Sequence, residues 1–369
     1  MNQPTNYPPP PAEEQNHFYW LDLIRFLAAF AVLLCHYRGA FLPEYSWLPA
    51  EQQTPGIFLF YAFTRLGHEA VLVFFVLSGF LVGGRAIEKC RMGTFCIKSY
   101  AVDRFVRIML PLLSALLLCI PKDLICGNPI VWTDWFGCLF SLQGIWTGLV
   151  IEPLWSLAYE VWFYILAGGL VLAICSTRQR RRYWGWGLAA VCFLVFTKLQ
   201  AYYLLIWMLG ALTYVVAPKR FNKWVFGLTL ILLPVLIMVL QLTSGGHVTS
   251  SLVQMLPTQN RQSLEIIFSL NFCLFLQQVL LIQPRNKASL ALNHWGTKLA
   301  AFSYTLYLVH VLVMRLLQNY GAERAAYLTL QSVALYFAYT FIGMLVCYGV
   351  YWCFERHTYA VKHWIKKRI

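Results

Sequence analysis

The chain has 369 residues, 59% of them hydrophobic and only 12% charged, with a mean hydropathy of +0.59. A soluble globular domain carries about twice that charged share, so a soluble fold is excluded. The formal net charge of +14 does not point to nucleic acid, because the basic residues sit in short loops between apolar runs and no groove-reading element accompanies them.

The first 17 residues, MNQPTNYPPPPAEEQNH, hold no Lys or Arg, and their Pro run precludes a helix. They read as a disordered arm without the character of a cleavable signal peptide. From residue 18 onward, apolar runs near twenty residues recur, which is the pattern of a polytopic, all-α membrane helix bundle. Ten spans are predicted, over 18–37, 70–87, 108–121, 153–175, 184–198, 202–217, 224–242, 264–282, 299–319 and 329–353. With the N-terminus inside, the inner segments hold 21 of the 29 Lys and Arg. The outer side keeps seven, namely Arg38, Arg65, Lys122, Lys198, Arg261, Arg315 and Arg324. That bias puts both termini in the cytoplasm. The net charge is therefore topological, and part of it will meet anionic lipid.

One domain spans 18–355, followed by a basic cytoplasmic tail over 356–369. Two outer loops, 38–69 and 243–263, are long enough to fold over the bundle. Residues 135–151, WFGCLFSLQGIWTGLVI, are apolar but interrupted by Gly and Gln, and read as a re-entrant or interfacial piece. Eleven Cys are scattered without metal-ligand spacing and read as small apolar residues, and no metal site is expected. Cys35 and His36 are neighbours in sequence, but adjacent helical residues point about 100° apart.

The ionisable residues inside apolar runs carry the functional argument. In the first span, WLDLIRFLAAFAVLLCHYRG, Arg25 and His36 stand eleven residues apart. Eleven residues turn about 1100° and rise about 16 Å, so both side chains share one face at two depths, with Asp22 beside Arg25. Charges at such positions face a bundle interior and mark functional paths. The structural alternative is an Asp22–Arg25 pair at the interface and a hydrogen-bonded histidine. The fourth span, EPLWSLAYEVWFYILAGG, lines up Ser156, Glu160 and Tyr164 at i, i+4, i+8. Counted from their own helix ends, Glu160 and His36 lie at similar depth, so a Glu–His pair that orients the ring is expected. Glu160 bonding an Arg from another helix is the packing alternative. In the ninth span, AAFSYTLYLVHVLVM, Ser303, Tyr307 and His310 share a face at i, i+4, i+7. Three such stripes imply a shared polar cavity, although one alone would pass as packing glue. Arg104 and Arg107, in SYAVDRFVRIMLP, lie on one face at the start of the third span. They suit a phosphate held bidentately, or else a positive-inside anchor.

These blocks, in the order LDLIRFLAAFAVLLCHY, VFFVLSGFLV, DRFVRIMLP, LWSLAYEVWFYIL and SYTLYLVH, resemble the acyltransferase 3 family of integral membrane acyltransferases. The resemblance implies transfer of an acyl group, usually acetyl, from a cytoplasmic coenzyme A thioester to a hydroxyl of a cell-surface sugar, lipid-linked glycan or small metabolite. It implies that Arg25, His36, Arg104, Arg107 and Glu160 match functional positions, and it leaves the role of His310 open. Ala158 and Tyr159 replace a more polar pair that the family pattern leads one to expect, and no extracytoplasmic hydrolase-like domain follows the last span. The expectation is a stand-alone O-acetyltransferase of the bacterial inner membrane, with no permanently bound cofactor and acetyl-coenzyme A as its donor.

On this reading Arg25, Arg104 and Arg107 hold the donor phosphates, and His36 is the general base, or itself carries the acyl group, with Glu160 orienting it. Ser156, Tyr164, Ser303, Tyr307 and His310 line the substrate path. The competing class is a transporter or flippase, proton-coupled through Glu160 and His36. It lacks support from paired broken helices or an inverted repeat in this sequence.

Overall fold

A computed structural model describes residues 18, 20–243 and 260–368. The predicted N-terminal arm over 1–17, and all but the ends of the 243–263 loop, lie outside the described residues. Within them the regular structure is helical, apart from an isolated β-bridge between Gln143 and Thr147.

Every predicted span is occupied by a helix. α1 is Leu21–Phe41; α2 (Pro55–Thr64), α3 (Gly67–Ser78), a π-type stretch at Gly79–Gly84 and α4 (Arg85–Arg91) follow in succession. Next come α5 (Ile97–Ile125), the short α6 (Trp132–Leu139), α7 (Leu154–Cys175), α8 (Gln179–Phe196), α9 (Tyr202–Val215) and α10 (Lys223–Thr243). The chain ends with α11 (Arg261–Val279), α12 (Lys287–Ala300), α13 (Ser303–Asn319), α14 (Leu330–Cys353) and α15 (Thr358–Lys366).

Among the described residues six helical segments are long and apolar enough to cross a membrane, or seven if α12 and α13, bent at 56°, form one broken span. Two of the other predicted spans fall short for a visible physical reason. α9 is too brief at 14 residues, and α8 opens with four residues of the run QRRR.

Local sequence sets several helix starts. Pro55 opens α2 with Thr54 accepting from the Ile57 N–H, and reciprocal capping boxes start α12 (Asn286 with Ser289) and α14 (Thr329 with Ser332). The aromatic half of the 38–69 loop is α2, whose Phe63 is 68% exposed, as an interfacial helix requires. The loop is pinned where the Tyr61 hydroxyl donates to the Pro43 carbonyl (2.7 Å) and Arg38 pairs with Glu44 (3.1 Å).

In hydrocarbon, lipid tails are as apolar as Leu, so helices associate through close packing rather than through escape from water. The π-type stretch does this against α9. A Cβ on Gly79 would fall on the Trp207 backbone carbonyl, and one on Gly210 would fall on that of Val76. The glycines of VLSGFLVGG are therefore needed for two backbones to touch. The interior is centred on α13, where every residue from Thr305 to Met314 is buried, with α1 packed between it and α3, α12 and α14. α10 and α14 leave most of their apolar surface exposed, as helices facing lipid do.

The segment 135–151 begins within α6, and its backbone and side chains are tied to neighbouring helices. Trp135 donates to the Leu116 carbonyl (3.0 Å), Trp162 to that of Ser141 (2.9 Å) and Gln143 to that of Leu154 (2.8 Å). Ser141 adopts a positive φ of 58° there. Cys90 and Cys175 are joined at the ends of α4 and α7, a pairing that no sequence spacing announced.

Candidate active site

α1, α3 to α5, α7 and α13 enclose a cavity of about 340 Å³ at the end of the bundle where α1 begins. Eight of the ten predicted site residues line it: Arg25, Arg104, Arg107, Ser156, Glu160, Tyr164, Ser303 and Tyr307. Each of the three sequence stripes reaches this chamber, but His36 of the first and His310 of the third do not line it. Arg85 and Asp22 also line it, so four arginines face two carboxylates.

Two of these arginines have close partners within the chamber. Arg25 pairs with Asp22 at 3.2 Å, one turn back on α1. Arg104 lies over the Tyr164 ring, 5.7 Å from its centroid. The neighbouring Asp103 does not neutralise Arg104 or Arg107, because it is taken by Lys362 and Lys366 of α15, each at 2.8 Å. The basic tail thus sequesters the acid of DRFVR.

Glu160 accepts a hydrogen bond from the Tyr164 hydroxyl, which in turn accepts from Ser78 Oγ (3.2 Å). Trp207 Nε1 donates to that Ser78 oxygen (3.1 Å). Arg107, Arg104 and Arg25 all act on the Glu160 carboxyl electrostatically.

The expected Glu160–His36 pair is not formed. His36 is not among the residues lining the cavity; its Nδ1 stands 2.7 Å from His310 Nε2, with the ring centroids 5.0 Å apart and the planes 20° from parallel. The reason is that the helix ends are not level. Ser156 of α7 meets Tyr307, one turn of α13 below His310, so Glu160, a further turn along α7, lies about two turns deeper than the histidines. Arg25 and His36 therefore share a helix face without sharing a chamber. Between them, Ser156 Oγ and the Tyr307 hydroxyl meet at 2.6 Å, one turn of α13 below His310.

His310 is fully buried, and its Nδ1 faces the Leu306 carbonyl at 2.9 Å. Tyr37 ties the same turn down by donating to the His310 carbonyl (3.1 Å). Cys35 points elsewhere, toward Gly67 of α3, and forms no pair with His36.

On the far side of the histidines is a hollow of about 540 Å³, lined by Lys122, Asn128, Glu152, Arg315, Gln318 and Asn319 among others. Glu152 and Arg315 form an ion pair there. Burial pushes the Glu152 carboxyl up, but its own backbone N–H and the Arg315 guanidinium outweigh that and hold it below the usual glutamate value.

Four side chains escaped the sequence reading. Ser78 and Arg85 are seven residues apart, a helical same-face spacing that could have placed them on the cavity. Glu355 is buried at the end of α14; its carboxylate accepts from the Thr305 N–H (3.0 Å) and hydroxyl (2.7 Å) and acts on Arg107 and Arg25. A lone acid ending the last apolar run was its one signal. Tyr304 also lines the cavity, and its hydroxyl is buried without a hydrogen-bond partner among the described residues.

Among the described residues, no group of three or more His, Cys, Asp or Glu could hold a metal ion. A family model described as an acyltransferase domain matches residues 18–352. Neither the curated proteins nor the solved structures returned a match.

Proposed function

Because the chain belongs to the acyltransferase 3 family, we propose that it moves an acetyl group from coenzyme A to a hydroxyl of a saccharide or lipid-linked glycan. The proposed setting is a bacterial inner membrane, with ten crossings and both termini in the cytoplasm. The observation that carries this reading is the arginine-lined cavity, in which four guanidiniums face two carboxylates. A nucleotide-bearing thioester brings several phosphate charges, and guanidiniums in a partly dry chamber hold such groups bidentately.

Arg25, Arg85, Arg104 and Arg107 receive the donor's phosphates at the basic end. Glu160 serves this chamber and not the histidine, since its charge offsets the mutual repulsion of the arginines around it. The donor's flexible arm then runs along α1 toward Ser156 and Tyr307, and the thioester meets His36 where that hydroxyl pair parts. His36 takes the proton of the acceptor hydroxyl, and the hydroxyl oxygen attacks the thioester carbonyl carbon. The new C–O bond forms, the C–S bond breaks, and the proton passes from His36 to the departing thiolate. Atoms and charge balance without a metal or a redox partner.

The hollow beyond the histidines suits the acceptor. Its amides, Asn128, Gln318 and Asn319, and its internally neutralised Glu152–Arg315 pair match an uncharged polyhydroxyl ligand better than an ion. Purified protein, acetyl-coenzyme A and a crude glycan extract test the reading through release of free thiol. Thiol release that depends on both the protein and the extract is expected. No release above the protein-free control would refute the enzyme reading in favour of transport.

A further inference from the structure

We infer that His310 is the positioning residue that fixes which nitrogen of His36 is free to act as base; the inference rests on the acyl-transfer reading above for its catalytic consequence. The argument follows protons. A carbonyl oxygen only accepts, so His310 Nδ1, 2.9 Å from the Leu306 carbonyl, carries a hydrogen. The other nitrogen of His310 faces only an imidazole, and the residue has no exposed surface. Neither partner of that ring is an anion that would hold a second proton in so buried a place. His310 Nε2 is therefore an acceptor, and His36 Nδ1, at 2.7 Å, must be the donor.

The consequence falls on the remaining nitrogen. With Nδ1 protonated, the lone pair of His36 lies on Nε2, away from His310. A carbonyl of α13 thus dictates, through two imidazoles, the tautomer of a ring on α1. When His36 accepts a proton from substrate, its bond to His310 becomes charge-assisted and shortens, so the same contact favours the protonated intermediate.

A carboxylate commonly orients a histidine in this way. Here a neutral imidazole does so, which avoids a bare charge deep in the bundle. The ring of His310 cannot turn without breaking its bond to Leu306, and neighbours from Thr305 to Met314 are all buried. Tyr37 holds the same turn through the His310 carbonyl, so α1 and α13 keep their relative height.

The test uses the full chain in detergent, with nitrogen-labelled histidine, and the variants His310→Gln and His310→Leu. Nuclear magnetic resonance of the wild type should show His36 protonated on Nδ1 with no substrate present. The Leu variant removes the acceptor and should release that preference, lowering kcat about 10- to 100-fold, as loss of an orienting partner does, while the donor KM stays within about twofold. The Gln variant offers an amide oxygen to His36 Nδ1 and should recover most of the loss. His36 carrying its hydrogen on Nε2 in the wild type would overturn the inference, as would equal kcat losses in both variants with the tautomer unchanged. Should the wild type transfer no acyl group, the functional reading fails while the spectra still decide the tautomer.

Discussion

Replacing Arg104 with Ala should weaken donor binding far more than it slows turnover. The side chain is half-buried over Tyr164, and the one acid in its turn, Asp103, is already bound by Lys362 and Lys366. Arg104 has no ion pair among the described residues, only an electrostatic interaction with Glu160, so most of the cost falls on the ligand. A charge-assisted hydrogen-bonded contact contributes about 1.5–3 kcal/mol, which is about 10- to 150-fold in affinity. The cation–π contact with Tyr164 adds only about 0.5–1 kcal/mol, and that to the protein's own stability. Donor KM, read from thiol release against acetyl-coenzyme A concentration, should rise by about that factor, with kcat changed by less than about threefold. Arg104→Lys keeps the charge but loses the planar fork, so it should recover only part of the affinity. An unchanged KM together with an unchanged coenzyme A Kd would refute the placement of the donor in this cavity.

Three further outcomes follow from the packing and the electrostatics. Gly79→Ala should destabilise the protein by about 1–3 kcal/mol or more, because backbone atoms of Trp207 and not a flexible side-chain end stand in the way; an unaltered Tm in detergent would contradict the contact. Glu355→Gln removes a negative charge facing Arg25 and Arg107 while keeping an acceptor for Thr305, so donor KM should fall a few-fold at low salt and less at high salt, and a rise would assign the carboxylate a supporting role. Tyr307→Phe leaves Ser156 with the Pro153 carbonyl at 3.3 Å, so the stability loss should stay near 1 kcal/mol; a loss above about 3 kcal/mol would show the hydroxyl pair to be a main element of the core.

Periodicity made the helices and their inward faces readable. The stripe Ser156, Glu160, Tyr164 and the residues Ser303 and Tyr307 do line one chamber with Arg25, Arg104 and Arg107, as helical spacing requires. Depth was not readable in the same way. Counting from helix ends puts Glu160 level with His36, yet those ends are staggered, and it is Ser156, through Tyr307, that comes within about a turn of the histidines. A shared face with Tyr307 puts His310 on a substrate path, but one turn of α13 separates a cavity wall from the partner of His36. That distinction depends on how high α1 sits against α13, which Tyr37 and its carbonyl partner set and which no local pattern encodes. The π-type stretch escaped for a related reason: glycines in VLSGFLVGG mark close approach, but the backbone they admit, that of Trp207 on α9, lies more than a hundred residues away.

The most direct measurement pairs acetyl transfer with coenzyme A binding in His36→Ala. The account predicts that transfer is lost while coenzyme A binds with wild-type affinity, because the donor's phosphates are held in a chamber that His36 does not line. Transfer at the wild-type rate by that variant would contradict it.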